Sequence, residues 1–397
     1  MRTSHYRPLA HQVQQQTTSL ILGRLRLPDF SPRCPAWLLM SCLVLAAAAR
    51  ISLAAVASLR PRCPSRETLR QALLATLPEY DRLLRQLPGL LRASLPRGLR
   101  QVQRRQGRRR RYPMAIDLHG VPYFKRSRTP PAHVRRGLRF AGTTYGHSYA
   151  TAALLRKGQY YLVALTPYDP DEDRAAVVKR LLRQASSNGF SPRYLLMDRG
   201  FWAVDVFRYL QHARYPFLIP VPAKGKKATT PGGPTGTRVF FHRCQTGWYT
   251  YTLTERSGQQ TASLTIVVQR RNHGGRRGRH GRYTWAYGLW RMHLSTVAWV
   301  RQCYRRRFRI ESSYRLLEAA RGRTSSRSEA WRLWYVVLAA LLMNVWLQLR
   351  RQAAGRAARE WYWWNRLLLA LIYRLLQEPA GSDPRGSDGE SGTAKPT

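Results

Sequence analysis

Along residues 1–111 apolar positions recur at helical spacing in four stretches, Ala36–Ala49, Ile51–Leu59, Thr68–Leu77 and Tyr80–Leu91, punctuated by proline and arginine. Ser65 is placed to cap the third, and Glu67 suits the positive end of its dipole. Two short helices, a turn through Arg60–Pro64 and a helix bearing Arg66 and Arg70 fit the outline of a helix-turn-helix DNA reader, and equally a plain helical packing domain. From Tyr112 the period shortens to two. Strands are expected at Tyr112–Leu118, Tyr145–Leu155 and Tyr160–Thr166, then helix Ala175–Ala185, strand Tyr194–Met197, helix Trp202–His212 and strand Phe217–Val221. Strands followed by alternating helix and strand predict an α/β core.

Between Lys224 and Trp290 the alternation returns in Arg238–Cys244, Trp248–Thr254 and Ala262–Gln269, with loops at Pro231–Gly236 and Arg270–Arg282. This predicts a β-rich inserted subdomain. Helices follow at Val300–Arg321, Glu329–Arg351 and Arg359–Gln377, and the tail from Glu378, rich in Gly, Ser, Pro and charge, is expected to be disordered. The expected division is a helical region 1–111 ending in the basic linker Arg104–Arg111, a first part of the core at 112–223, the insertion at 224–290, a helical completion at 291–377 and the tail 378–397.

Composition narrows the function. Lys and Arg number 68 against 20 Asp and Glu, a formal charge of +48, which sets the chain apart from most soluble enzymes and calls for a polyanion, nucleic acid first and an anionic membrane surface second. The apolar run Ala36–Ala49 stops at Arg50, short of the ~20 residues a membrane span needs, and Trp334–Leu349 is interrupted by Asn344; both read as core helices. No signal peptide is indicated at the N-terminus. Cys34, Cys42, Cys63, Cys244 and Cys303 are odd in number and form no CxxC pair, which argues against a disulfide framework or zinc site and for a reducing compartment.

In a chain so poor in acids, each carboxylate is informative. Asp169, Asp171, Glu172 and Asp173 precede a predicted helix and read as dipole-complementing acids. Asp117 is the only carboxylate between Arg82 and Tyr168; it follows Met114-Ala115-Ile116, and Asp198 ends Tyr194-Leu195-Leu196-Met197. A carboxylate on an apolar strand is costly to desolvate, and either a bound divalent cation or an arginine partner removes that cost. Glu311 lies four residues after Arg307 and seven after Tyr304 on a predicted helix, so the three share a face, with Glu318 a further seven on. His119 shares the strand face of Asp117. Trp248, Trp285 and Trp290 stand near basic loops, as base-stacking groups do, or as core aromatics.

The set Ala115-Ile116-Asp117, Leu196-Met197-Asp198-Arg199-Gly200-Phe201 and Tyr304-x-x-Arg307-x-x-x-Glu311 resembles the DDE-type insertion-sequence transposases, and more narrowly the branch whose third motif runs Tyr, Arg, Glu, Lys. The likeness spans roughly residues 112–350. It departs at Glu318, where the branch carries Lys; Arg315, one turn earlier, and Arg309 are the candidate substitutes for the phosphate contact, and Glu318 otherwise reads as a structural acid paired with Arg321 or Arg315. The resemblance implies a ribonuclease H-like core (β-β-β-α-β-α-β then α) with the β-rich insertion before the glutamate. It implies that Asp117, Asp198 and Glu311 are catalytic and hold two Mg²⁺ ions, with Mn²⁺ able to substitute. It also implies that Tyr304, Arg307 and Arg315 contact DNA. The implied activity is metal-dependent cleavage of element ends and their transfer into target DNA, by a homodimer on double-stranded DNA, in the cytoplasm with the nucleoid and away from membranes. A catalytically silent DNA-binding descendant and a nuclease of the same fold are the alternatives.

Overall fold

The computed structural model describes residues 6–60, 62–100, 110–124, 131, 133–156, 159–255, 258–273, 281–307, 315–353 and 360–377. The chain divides into two compact units, Met1–Val102 with Ser312–Thr397, and Gln103–Glu311. The first begins with α1 (Tyr6–Leu25), α2 (Ala36–Ala49), α3 (Leu53–Leu59), α4 (Arg66–Thr76) and α5 (Tyr80–Ala93). The last four match the predicted periodic stretches closely. Ser65 caps α4 by accepting from Thr68 N at 3.1 Å, and Ser52 caps α3 by accepting from Ala55 N at 3.1 Å. Helix α1 was not legible because its inward face mixes Leu9, Val13 and Ile21 with buried Gln14, Thr17 and Thr18.

The second unit is built on one nine-stranded sheet. Its strands are β1 (Arg110–Pro122), β2 (Arg135–Phe140), β3 (Thr143–Arg156), β4 (Gln159–Pro167), β5 (Phe190–Met197), β6 (Phe217–Pro220), β7 (Gly247–Thr254), β8 (Thr261–His273) and β9 (Gly281–Trp290). Helices α6 (Arg174–Ser187) and α7 (Val204–His212) connect β4 to β5 and β5 to β6, each burying an apolar stripe, Val177, Val178, Leu181 and Leu182 on α6 and Val206, Phe207 and Leu210 on α7. Strands β4, β3 and β1 pair antiparallel, whereas β5 runs parallel to β1 and β6 parallel to β5. That order, β4-β3-β1-β5-β6, is the ribonuclease H-like arrangement.

The region after Lys224, the expected β-rich insertion, is continuous with the core sheet. Strand β9 pairs antiparallel with β6, Phe217 opposite Trp290, so β9, β8 and β7 extend the core sheet. The predicted strand Arg238–Cys244 is instead a 3-10 turn, Gly236–Arg238, and a short helix, Val239–His242. This places Phe240 against the rings of Tyr249 and Tyr251 on β7. At the two ends of the predicted loop Arg270–Arg282 the described residues are strand, since Arg270 pairs with Thr284 and Asn272 with Arg282, while 274–280 lie outside the described residues; the polar residues suggested a loop by composition. The predicted helix Val300–Arg321 is also interrupted: α8 spans Val297–Arg305, and Arg307 N already donates to Tyr304 O at 2.8 Å in a tightened final turn.

The chain then returns to the first unit through helical residues 315–319, α9 (Glu329–Ala353) and α10 (Glu360–Gln377). Among the described residues α9 is long and apolar enough to cross a membrane, over Glu329–Leu349, but 89% of that window is buried inside the fold, as a core helix would be. Its Asn344, fully buried, donates to Ser94 Oγ at 2.9 Å, which satisfies this polar interruption of the apolar run. Arg374 of α10 donates to Gln14 of α1 at 3.0 Å. Most of the basic linker, residues 101–109, and the tail 378–397 lie outside the described residues.

Candidate active site

Strand pairing brings the two isolated aspartates together. Ile116 lies opposite Met197 in the parallel β1–β5 pair, so Asp117 and Asp198, the next residue on each strand, stand side by side. Asp117 is 5% exposed and its Oδ1 accepts from Leu118 N at 2.9 Å. Asp198 sits just beyond β5, where the backbone turns through Arg199–Phe201; its side chain is 39% exposed. A Cβ at Gly200 would lie 3.1 Å from Leu118 Cδ1 and 3.8 Å from Asp198 Oδ2, so a side chain here would crowd this turn.

The space between the acids is taken by Arg307. Its Nη2 donates to Asp117 Oδ2 at 2.7 Å and lies 3.4 Å from Asp198 Oδ1. Tyr304, buried on α8, donates its hydroxyl to Met197 O at 3.2 Å, tying the end of α8 to the end of β5. Burial pushes the Asp117 carboxyl up to about 6; Arg307 opposes this and the charge of Asp198 reinforces it. Burial works against the Arg307 charge, but Asp117, Tyr304 and Asp198 outweigh it and hold the guanidinium protonated. Burial likewise raises the Tyr304 phenol well above its ordinary value.

An open cleft of about 720 Å³ begins at this pair, lined by Asp198, Arg199, Tyr287, Arg301, Tyr304, Arg305 and Arg307, with Trp285 on its wall. Arg301 of α8 stacks on the Trp285 ring of β9, 3.8 Å from its centroid, and the rings of Tyr287 and Tyr304 meet at 5.1 Å. Arg199, quoted within the second motif, was given no role there, and Arg301 and Arg305 were not among the residues singled out from sequence. Arginine is too common here to mark a site by itself, although Arg301 and Arg305, four apart on α8, share one face with the flagged Tyr304.

Of the predicted catalytic set, Glu311 lies outside the described residues. Arg315 and Glu318 are exposed in the first unit. His119 is buried opposite Tyr149. Trp248 is exposed, and Trp290 stacks on Phe217. Of the acidic tetrad, Asp173 caps α6 by accepting from Ala175 N at 3.2 Å, whereas Glu172 pairs with Arg180 and Asp169 with His133. Among the described residues no group of three or more His, Cys, Asp and Glu is arranged to hold a metal ion. Asp117 and Asp198 nevertheless fit a hard divalent cation, since both direct carboxylate oxygens to one point, where Arg307 Nη2 now supplies the positive charge.

No curated protein matches the chain. Among solved structures, a piggyBac transposase in a synaptic complex with hairpin DNA, determined by cryo-electron microscopy, superposes with a TM-score of 0.49 at 10% identity, over 93% of this chain and 80% of that one. The profile of the transposase DDE domain matches residues 114–346, which takes in both aspartates and the Tyr304–Arg307 segment. On that match over more than half of its length, the chain belongs to the transposase DDE domain family.

Proposed function

We propose that this transposase is encoded by an insertion sequence and cuts the ends of its element and joins them to target DNA. The observation that supports it most is the side-by-side placement of Asp117 and Asp198 on adjacent parallel strands, bridged by a buried cation and opening onto a cleft lined by arginines. Asp117 and Asp198, with Glu311 as third carboxylate, would hold Mg²⁺, or Mn²⁺ in its place. Two such ions would supply Lewis-acid charge at phosphorus and raise the acidity of the attacking water or 3′-hydroxyl.

The protein's own groups bind and orient the strand. Arg199, Arg301 and Arg305 offer guanidinium forks to backbone phosphates along the cleft. Trp285, held by Arg301, gives a flat apolar wall on which a base can stack. Tyr304 fixes the end of α8, and Arg307 directs its charge to where the scissile phosphate meets the carboxylates. Arg315 also contacts DNA. The enzyme acts as a homodimer on double-stranded DNA, in the cytoplasm with the nucleoid.

The test is a plasmid carrying the gene's own flanking DNA, incubated with Mg²⁺, Mn²⁺ or chelator. Metal-dependent breaks at the flank boundaries and joined products are expected from the wild type, and neither from Asp198→Asn. Cleavage without joining would mean a nuclease of the same fold. Tight, salt-sensitive binding with no cleavage would mean a silent DNA-binding descendant.

A further inference from the structure

Outside the active site, the first unit contains a buried arginine beside a pair of thiols. Cys42 lies on α2 with no exposed surface, and Cys63, half-buried, lies in the turn between α3 and α4. Their Sγ atoms are 3.6 Å apart, and Arg60 Nη1 lies 3.7 Å from Cys42 Sγ. Arg60 is 4% exposed, and its Nε has no hydrogen-bond partner among the described residues. A buried guanidinium is stabilised by a negative partner, and a Cys63 thiolate would supply one. The two thiols differ in character. A hydrogen bond from Cys42 and the charge of Arg60 hold the Cys63 thiol below its ordinary value against the opposing effect of burial, while the same hydrogen bond and deeper burial push Cys42 well above it. Cys63 is thus the nucleophile within reach of solvent, and Cys42 the protonated neighbour behind it.

We propose that Cys42 and Cys63 are a peroxide-responsive thiol pair that closes to a disulfide between α2 and the turn leading into α4. The Cys63 thiolate attacks one peroxide oxygen; the O–O bond breaks, hydroxide leaves and takes up a proton, and Cys63 becomes a sulfenic acid. Cys42 sulfur then attacks the Cys63 sulfur, the S–O bond breaks, and the departing hydroxide carries off the Cys42 proton as water. Two thiols lose two electrons, and one hydrogen peroxide becomes two waters. Bond formation needs the sulfurs to close from 3.6 Å to about 2.05 Å. The turn carrying Cys63 is the part that moves, since it is irregular, with Arg62 in the left-handed region at φ 53°, whereas Cys42 is fixed within a buried helix. A dithiol reductant reverses the step. Cys34, also near Cys63, is pushed up to about 11 by burial first and by the Cys63 charge second, and stays a thiol.

The experiment uses the reduced full-length chain, treated with about one to ten equivalents of hydrogen peroxide, alkylated under denaturing conditions and mapped by peptide mass. The expected result is a linked peptide joining Cys42 to Cys63, reversed by dithiothreitol, formed equally in Cys34→Ser and absent from Cys63→Ser. Arg60→Met is expected to slow disulfide formation about tenfold, and an unchanged rate would overturn the part given to Arg60. A Cys34–Cys63 link, overoxidation of Cys63 with Cys42 still a free thiol, or five alkylated cysteines after treatment would each overturn the pairing itself.

Discussion

Asp117 is paired with an arginine 2.7 Å away, yet its carboxyl is pushed up to about 6, because burial costs its charge more than Arg307 returns. With the folded value above the ordinary ~3.9 of an unfolded aspartate, the native state holds this proton more tightly. The stabilisation from protonated Asp117 is complete below about pH 4 and disappears as the pH rises through about 6. Urea unfolding in chelator, comparing wild type with Asp117→Asn, should show the wild type losing about 3 kcal/mol relative to the variant across that window. A difference that stays flat would mean that Arg307 keeps Asp117 at its ordinary value. Both aspartates were legible in the sequence because carboxylates are so scarce and each of these follows a short apolar run, Met114-Ala115-Ile116 and Tyr194-Leu195-Leu196-Met197. The occupant of the space between them was not. The spacing placed Arg307 one turn from Glu311 on a continuous helix, but α8 ends at Arg305 and the guanidinium turns to the carboxylates. The Trp285–Arg301 stack was equally hidden, since it joins a strand to a helix whose proximity only the folded sheet creates.

The joint between β6 and β9 decides whether the cleft exists, because β9 carries Trp285 and Tyr287 on the cleft wall. Gly288 sits opposite Ile219 in that pairing, and a Cβ there would come within 2.9 Å of the Trp202 ring, which is buried and packed edge-on against Phe207. Both rings are buried. Gly288→Ala is therefore expected to cost about 1–3 kcal/mol in denaturant unfolding, with an altered tryptophan emission in the native state. A variant as stable as the wild type would show that the pairing slides to accommodate a methyl group. At this scale the sequence was readable wherever period and composition agreed: α2 begins and ends where its apolar run does. It misled where they disagreed. Polar residues on the solvent side of β8 looked like a loop, and the short apolar run Val239–Phe241 looked like a strand although it forms a helical turn under β7.

For the whole molecule, the +48 charge implies a folded state that repels itself in the absence of DNA. Added salt should relieve this. Raising sodium chloride from about 0.05 to 0.3 M is expected to lift the thermal midpoint of the DNA-free protein by several degrees, measured by scanning calorimetry. A midpoint that falls instead would place more stability in the few ion pairs, such as Asp117–Arg307, than in relief of the global repulsion. The two-unit division adds a constraint in time. The helical unit is assembled from both flanks of the catalytic unit, and its contacts reach very far along the chain, Ser94 to Asn344 across 250 positions and Gln14 to Arg374 across 360. During synthesis α2, with its nearly continuous buried apolar surface, leaves the ribosome long before α9 and α10 exist to cover it. The catalytic sheet is thus complete first, and the nascent N-terminal helices must be shielded from aggregation until translation reaches the far end of the message.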